Sequence, residues 1–161
     1  MTSCRVGLGY DIHRIAEGRP RVLGGVRFES SWGLDGYSDA DVLAHAIGDA
    51  LLGSLGLGDL GTHFPPGDPK WKDVSSLELL SRIHTLVEAA GGTIVNVDAT
   101  VAAEQPKIGP LREQMCEAIA GALRIEASRV SVKATTNEGL GAVGRGEGMA
   151  AWAVALVEMK A

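Results

Sequence analysis

The segment SDADVLAHAIGDALLGSLGLGDLGTHFPPGDP, residues 38–69, combines a helical pattern with a polar stripe. Asp41, His45 and Asp49 follow one another at intervals of four residues, which places an imidazole between two carboxylates on one helical face. We therefore predict a helix over about residues 40–55, capped by Ser38 or Asp39 and ended by the glycines that follow. The opposite, apolar face is expected to pack inward and comprises Val42, Leu43, Ala46, Ile47, Ala50 and Leu51.

A second polar pair, Asp11 and His13, lies upstream in GLGYDIHR, where residues 5–11 have the pattern of a strand. Side chains two residues apart leave a strand on the same face. Asp11, His13 and His45 are therefore predicted to bind one metal ion. Two histidines and one carboxylate leave a fourth position open, as in a catalytic zinc site. Asp49 or Asp41 would then orient His45 from behind the metal rather than bind it.

The order of the remaining patterns predicts the fold class, an α/β (α+β) two-layer sandwich in which helices cover one face of a mixed sheet. The whole chain, residues 1–161, is expected to form a single domain. In the first half of the chain we predict two short extended pieces over residues 22–28 broken at Gly24-Gly25, a long loop reaching Trp71, and a helix from Ser75 or Ser76 to Gly91. In the second half we predict a strand over residues 93–102, a helix with Pro110 in its first turn, and strands over residues 130–135 and 149–159.

Composition excludes several classes of protein. The net charge of −5 argues against a general nucleic-acid or anionic membrane surface, although it leaves room for a local cationic pocket. Two distant cysteines indicate neither a disulfide framework nor a thiolate zinc site. Neither a basic-apolar leader nor a run long enough for a membrane span is visible, so we expect a cytoplasmic protein.

Weaker signals come from the second half of the chain. Thr135, Thr136 and Glu138 at a strand end suit phosphate oxygens and a hard divalent ion, although threonine is also common on strands for reasons of propensity. Lys107, in AEQPKI, suits a base or a diphosphate, and a helix-entry loop explains it equally well. Arg145, in GRGEG, indicates either a tight turn or a close approach between chains.

Three further polar residues near the first two predicted helices can be explained by ordinary structural roles. Asp59 follows the first helix and is either a ligand contact or part of an ordinary C-terminal turn. His63 is expected in a loop and His84 on the polar side of a helix, without a metal.

Five motifs occur in order along the chain: GYDIH, SDADVLxHAxxDALLG, GDxGxxFP, PKI and KATTNExLGxxGRGEG. Together they resemble the 2-C-methyl-D-erythritol 2,4-cyclodiphosphate synthase family nearly end to end. The resemblance implies a homotrimer around a central sheet-lined cavity, with active sites at the subunit interfaces. It also implies that 4-diphosphocytidyl-2-C-methyl-D-erythritol 2-phosphate is cyclised and CMP released, in the bacterial non-mevalonate isoprenoid pathway. An isoprenoid diphosphate would occupy the central cavity.

The same resemblance implies roles for individual residues. Tyr37 stands where the family often has histidine, and Pro66 interrupts an acidic stretch, but each proposed zinc ligand is present. Two rivals remain open: a zinc-dependent phosphohydrolase, and a non-catalytic trimer that binds cytidine nucleotides or isoprenoid diphosphates. The implied roles are zinc binding by Asp11, His13 and His45; magnesium or manganese binding by Glu138; catalysis by Asp39, Thr135 and Thr136; support of His45 by Asp49; and substrate contacts by Ser38, Asp59, Gly61, Ala103, Pro106, Lys107, Ile108 and Arg145.

Overall fold

A computed structural model describes residues 3–159 of the chain. In chain order, its elements are β1 (Ser3–Glu17), β2 (Arg21–Leu23), β3 (Val26–Phe28), β4 (Trp32–Leu34), α1 (Val42–Ser54), α2 (Leu60–His63), α3 (Ser76–Ala89), β5 (Gly92–Ala102), α4 (Arg112–Leu123), β6 (Val130–Thr135), α5 (Gly141–Gly144) and β7 (Gly148–Met159). Five strands form a sheet in the order β4-β1-β7-β5-β6. Within residues 3–159, β5 and β6 run parallel and the other neighbouring strands of this sheet run antiparallel, so the predicted mixed sheet is confirmed.

Helix α1 packs directly on the backbone of β1, and two glycines allow this close approach. A Cβ atom on Gly7 would lie 1.8 Å from the carbonyl oxygen of Ala50, and one on Gly9 would lie 1.8 Å from that of Ala46. Residues two apart share a face of a strand. Asp11 and His13 therefore continue the row of Gly7 and Gly9 and face the same helix.

The opposite face of the sheet is apolar and open along β1 and β7. Leu8 pairs with Val154 and Tyr10 with Trp152 across the two strands, and all four side chains are exposed. Toward β5 and β6 the same face becomes polar, where Lys133 forms an ion pair with Asp98. Within residues 3–159, no helix has the length and apolar character needed to cross a membrane.

The predicted start of α1 was wrong. The helix begins at Val42 with Asp41 as its N-cap, because Ala40 has a φ of 57°, in the left-handed region that ends a helix. The carboxylate of Asp41 is fully buried and accepts hydrogen bonds from the backbone N–H groups of Gly24, Gly25 and Ala44. Asp41 therefore joins the β2–β3 hairpin to α1 and does not belong to the polar stripe around His45.

Other boundaries also differ from the sequence pattern. The first strand extends to Glu17, well past the predicted end at Asp11, because it pairs with β7 and then with β4. The glycine-rich segment before β7 includes the short helix α5, and the predicted loop to Trp71 includes α2 and a 3₁₀ turn. The predicted cap of α3 is confirmed as Ser75, and the two glycines of the β2–β3 turn both have positive φ, as a tight hairpin requires.

Candidate metal centre

The structure brings the predicted metal ligands together between β1 and α1. Oδ2 of Asp11 lies 2.9 Å from Nε2 of His13 and 2.9 Å from Nδ1 of His45. The two ring nitrogens are 3.2 Å apart. All three residues are partly buried, and their ligand atoms lie within 4.8 Å of one another. The strand spacing of two and the position of His45 on the facing helix thus produce one cluster.

The donor set fits a divalent metal. Nδ1 of His13 lies 2.5 Å from the carbonyl oxygen of Asp35, to which only an N–H can donate. In a neutral ring, Nε2 of His13 therefore keeps its lone pair, and that lone pair faces Asp11. A carboxylate oxygen and imidazole nitrogens that converge in this way attract either protons or a metal cation, and such ligands are typical of zinc and other transition metals.

The electrostatics of the centre favour a cation. Burial alone would raise the pKa of Asp11, but hydrogen bonds and charge interactions with His13 and His45 hold the pKa of this carboxyl well below its usual value. Burial likewise opposes protonation of His13, yet its bonds to Asp11 and to the Asp35 carbonyl raise the pKa of His13 above 6.5. The ionised carboxylate is therefore a permanent negative charge in a partly dry site.

A cavity of about 270 Å³ opens beside the cluster. Asp49 lines it and accepts a hydrogen bond from the backbone N–H of Leu60 at 2.8 Å. Burial raises the pKa of Asp49, partly offset by this hydrogen bond. The cavity also contains several apolar side chains, and its lining includes Tyr37, Ser38, Leu60, Gly61, Phe64, Pro66, Trp71, Val74 and Leu79.

The far side of His45 is held by hydroxyl groups. Nε2 of His45 lies 3.1 Å from Oγ of Ser38 and 2.9 Å from Oγ of Ser76. Asp39, in turn, accepts hydrogen bonds from the backbone N–H and the hydroxyl of Ser76. Sequence reasoning missed Ser76, because its only visible signal was that of a residue at the start of a helix.

The phosphate and cytidine candidates form a second group at the ends of β5 and β6. Lys107 and Ile108 line a separate cavity of about 430 Å³. The hydroxyl of Thr136 lies 3.2 Å from Oε1 of Glu138, and the backbone N–H of Ala103 donates to the carbonyl of Thr135 at 3.0 Å. β1 and β6 are separated by β7 and β5. This separation is about 14 Å across three strand spacings, so one chain does not bring this group to the metal centre.

The remaining candidates lie at the edges of these groups. Asp59 is the exposed N-cap of α2, and hydrogen bonds from Thr62 lower the pKa of its carboxyl. Nε of Arg145 donates to Glu147 at 2.6 Å in an exposed pair.

Two expectations about histidines were wrong. His63 ends α2 instead of lying in a loop, and His84 is buried, because its position on α3 faces α4 and β5 rather than solvent.

These features define a class of protein: a two-layer α/β protein with an Asp-His-His cluster that could hold a metal ion beside an open cavity. Residues 4–158 match the model of the YgbB family. The chain belongs to this family.

Curated relatives are similar over nearly the whole chain. The 2-C-methyl-D-erythritol 2,4-cyclodiphosphate synthase of Synechococcus elongatus is 55% identical, and the match covers 98% of each chain. The synthase of Pelotomaculum thermopropionicum is 56% identical over 95% of this chain and 94% of the relative. The bifunctional enzyme IspD/IspF of Anaeromyxobacter is 61% identical over 94% of this chain, which corresponds to 39% of that protein.

Solved structures show the same fold. The bifunctional IspDF of Campylobacter jejuni superposes with a TM-score of 0.95 at 39% identity, covering 99% of this chain and 43% of that one. The CDP complex of Plasmodium falciparum IspF gives a TM-score of 0.85 at 34% identity, covering 99% and 98% of the two chains.

Proposed function

We propose that the Asp11, His13 and His45 cluster is the catalytic metal centre of a cyclodiphosphate synthase. The chain has the 2-C-methyl-D-erythritol 2,4-cyclodiphosphate synthase activity of its curated relatives, in the non-mevalonate isoprenoid pathway. It cyclises 4-diphosphocytidyl-2-C-methyl-D-erythritol 2-phosphate and releases CMP. The observation that carries the assignment of the centre is the convergence of three ligand atoms within 4.8 Å beside an open cavity.

The chemistry requires positioning more than a reactive side chain. The 2-phosphate oxygen attacks the β-phosphorus of the same molecule, so folding the substrate supplies much of the rate. Asp11, His13 and His45 would hold zinc, which would supply Lewis-acid charge, and Glu138 would hold magnesium or manganese, which would neutralise diphosphate charge. Ser38 and Asp39 contact the reacting phosphate, and this role is supported by the contact of Ser38 with His45 and by the link from Asp39 through Ser76 to His45. A covalent enzyme nucleophile is not needed.

The second group of residues holds the leaving nucleotide. Ala103, Pro106, Lys107 and Ile108 contact the cytidine side, supported by the cavity that Lys107 and Ile108 line. Thr135 and Thr136 are exposed and contact the phosphates through their hydroxyls. Glu138 has a φ of 52°, a left-handed conformation that keeps its carboxylate near Thr136.

The sugar side is bound nearer the metal centre. Asp59 and the backbone of Gly61 contact the methylerythritol hydroxyls. The lowered pKa of Asp59 keeps its carboxylate ionised and able to accept hydrogen bonds. Asp49 supports the centre from the wall of the same cavity.

The functional unit is a homotrimer whose neighbouring chains complete each site. Within one chain, β1 and β6 lie about 14 Å apart across the sheet, and this separation supports a nucleotide half that is supplied by the adjacent subunit. The open apolar face of β1 and β7 supports this assembly, because exposed patches of this kind mark protein interfaces. Facing sheets would enclose a central cavity for an isoprenoid diphosphate, with Arg145 near its axis. Residues 1–161 act as one domain in the bacterial cytoplasm, although residues 1–2 and 160–161 lie outside the described structure.

Phosphorus NMR of the protein with its substrate, zinc and magnesium tests the reaction. Coupled signals of a cyclic diphosphate appearing together with CMP support cyclisation. Linear phosphates would instead support the phosphohydrolase, in which metal-bound water attacks. Unchanged substrate in a folded, metal-loaded sample would favour the binding-only protein.

A mixing experiment tests the shared site. His45→Ala loses the metal half and Thr136→Ala loses the nucleotide half, so each variant alone is inactive. Mixed trimers regain roughly one quarter of wild-type turnover, because random assembly places both intact halves at one interface in four. A site contained within one chain would give no recovery.

A further inference from the structure

We propose that Ser76 is a positioning residue that holds the ring of His45 through Nε2, so that Nδ1 is directed at the metal position. This inference rests on the proposed function of the Asp11, His13 and His45 cluster. Ser76 is not among the residues that line the cavity beside the cluster. It acts through His45 alone.

Ser76 joins three parts of the chain behind the metal centre. It is the first residue of α3 and only 1% exposed. Its backbone N–H donates to Oδ2 of Asp39 at 2.9 Å, and its hydroxyl contacts Oδ1 of the same carboxylate. Oγ of Ser76 lies 2.9 Å from Nε2 of His45. Asp39 is further held by the backbone N–H of Asp41 at 3.2 Å.

Counting protons decides which ring nitrogen of His45 carries hydrogen. The Ser76 hydroxyl has one proton, and an ionised carboxylate can only accept. The proton of Ser76 therefore goes to Asp39. Oγ of Ser76 is then an acceptor toward His45, which means that Nε2 of His45 carries the N–H. Nδ1 lies 2.9 Å from Oδ2 of Asp11, and a metal ion bound by these two atoms would take the place of the proton that the carboxylate otherwise attracts.

Ser38 reinforces the same assignment and gains a separate role. Its Oγ lies 3.1 Å from Nε2 of His45 and accepts the backbone N–H of Ala40 at 3.2 Å. With two donors directed at this oxygen, the hydroxyl proton of Ser38 is free to point into the cavity. Ser38 can therefore donate to a phosphate oxygen while Ser76 remains committed to Asp39.

The orientation of the ring matters because a ring released from Ser76 would no longer be fixed with Nδ1 at the metal position. Groups that orient metal-binding histidines in this way change metal affinity by about 10- to 100-fold when they are removed. Ser38 still accepts from Nε2 when Ser76 is replaced. We therefore expect the lower end of this range, a roughly tenfold weaker zinc affinity, for Ser76→Ala.

Zinc affinity and the tautomer of His45 are measured on the full chain with zinc as the only ligand. Competition with a chromophoric chelator gives the zinc dissociation constant of wild type, Ser76→Ala and Ser75→Ala. Ser75→Ala is the matched control, since it removes a serine hydroxyl at the same helix start, 3.3 Å from the N–H of Leu77. Long-range proton–nitrogen NMR of the zinc-loaded proteins identifies which nitrogen of His45 binds zinc and which carries hydrogen.

The proposal predicts zinc on Nδ1 and hydrogen on Nε2 of His45 in the wild type, and weaker zinc binding in Ser76→Ala but not in Ser75→Ala. Zinc bound to Nε2 of His45 in the wild-type protein would overturn it without any variant. Equal zinc affinities of the two variants would also overturn it. Neither readout depends on turnover, so a wild-type protein that binds zinc but produces no cyclic diphosphate would refute the proposed function and leave the assignment of Ser76 standing.

Discussion

Replacing Asp41 by alanine tests how α1 is held in place. The Asp41 carboxylate is fully buried, and it accepts hydrogen bonds of 2.9, 2.7 and 3.1 Å from the backbone N–H groups of Gly24, Gly25 and Ala44. One of these bonds caps α1, and the other two tie the β2–β3 turn to the start of the helix. Alanine removes all three acceptor contacts at once.

The magnitude follows from these three bonds. Loss of a helix N-cap costs about 1 kcal/mol. Each of the other two N–H groups, left without a partner, costs about 1 to 2 kcal/mol. Desolvation and the neighbouring Asp39 raise the pKa of the Asp41 carboxyl, so burying this group costs free energy. Alanine removes that cost, which offsets part of the loss. We expect Asp41→Ala to lower the free energy of unfolding by about 3 kcal/mol.

Urea unfolding followed by circular dichroism measures this difference. Asp68→Ala is the control, because Asp68 is also an N-cap but is exposed and holds one short 3₁₀ turn through the N–H of Lys70. We expect the control to lose less than about 1 kcal/mol. A loss for Asp41→Ala no larger than that of the control would refute the reasoning that Asp41 joins the hairpin to α1.

Three further predictions concern the sheet and the metal centre. Gly9→Ala abolishes soluble folded protein, because the new Cβ would overlap a carbonyl of α1. The control Gly53→Ala has open space around its Cβ and remains folded. Expression trials and circular dichroism compare the two variants. Because the pKa of His13 is raised above its unfolded value of 6.5 by Asp11, its stabilising contribution is complete below pH 6.5 and is lost as pH rises through the folded pKa. Thermal unfolding of the metal-free protein against pH should show this loss, and His13→Asn should lack it. Trp152→Glu places a charge on the open sheet face and should convert the proposed trimer to monomers in analytical ultracentrifugation; an assembly of unchanged mass would contradict an interface at this face.

Local sequence spacing was enough to predict the metal cluster, which forms where strand β1 faces helix α1. The interval of two in β1 and the apolar face of α1 were sufficient to bring Asp11, His13 and His45 together, because strand alternation and helix periodicity fix side-chain direction. The two-layer mixed sheet followed from the order of the elements in the same way.

Contacts formed by irregular backbone could not be predicted. Asp41 fits the interval of four that leads to His45, yet the left-handed Ala40 makes it an N-cap whose carboxylate turns to the hairpin. Ser76 is 31 residues from His45 and reaches it only after the intervening loop folds back. The sequence around residue 76 indicates the start of a helix, but it does not reveal the contact between Ser76 and His45.

A zinc titration of metal-depleted protein, with magnesium in excess and CMP release as the readout, tests most directly whether the Asp11, His13 and His45 cluster is the catalytic centre. Turnover should rise in proportion to zinc, reach its plateau at about one zinc per chain, and be absent from His45→Ala at every zinc concentration. Full turnover by the metal-depleted protein, or by His45→Ala, would contradict this assignment.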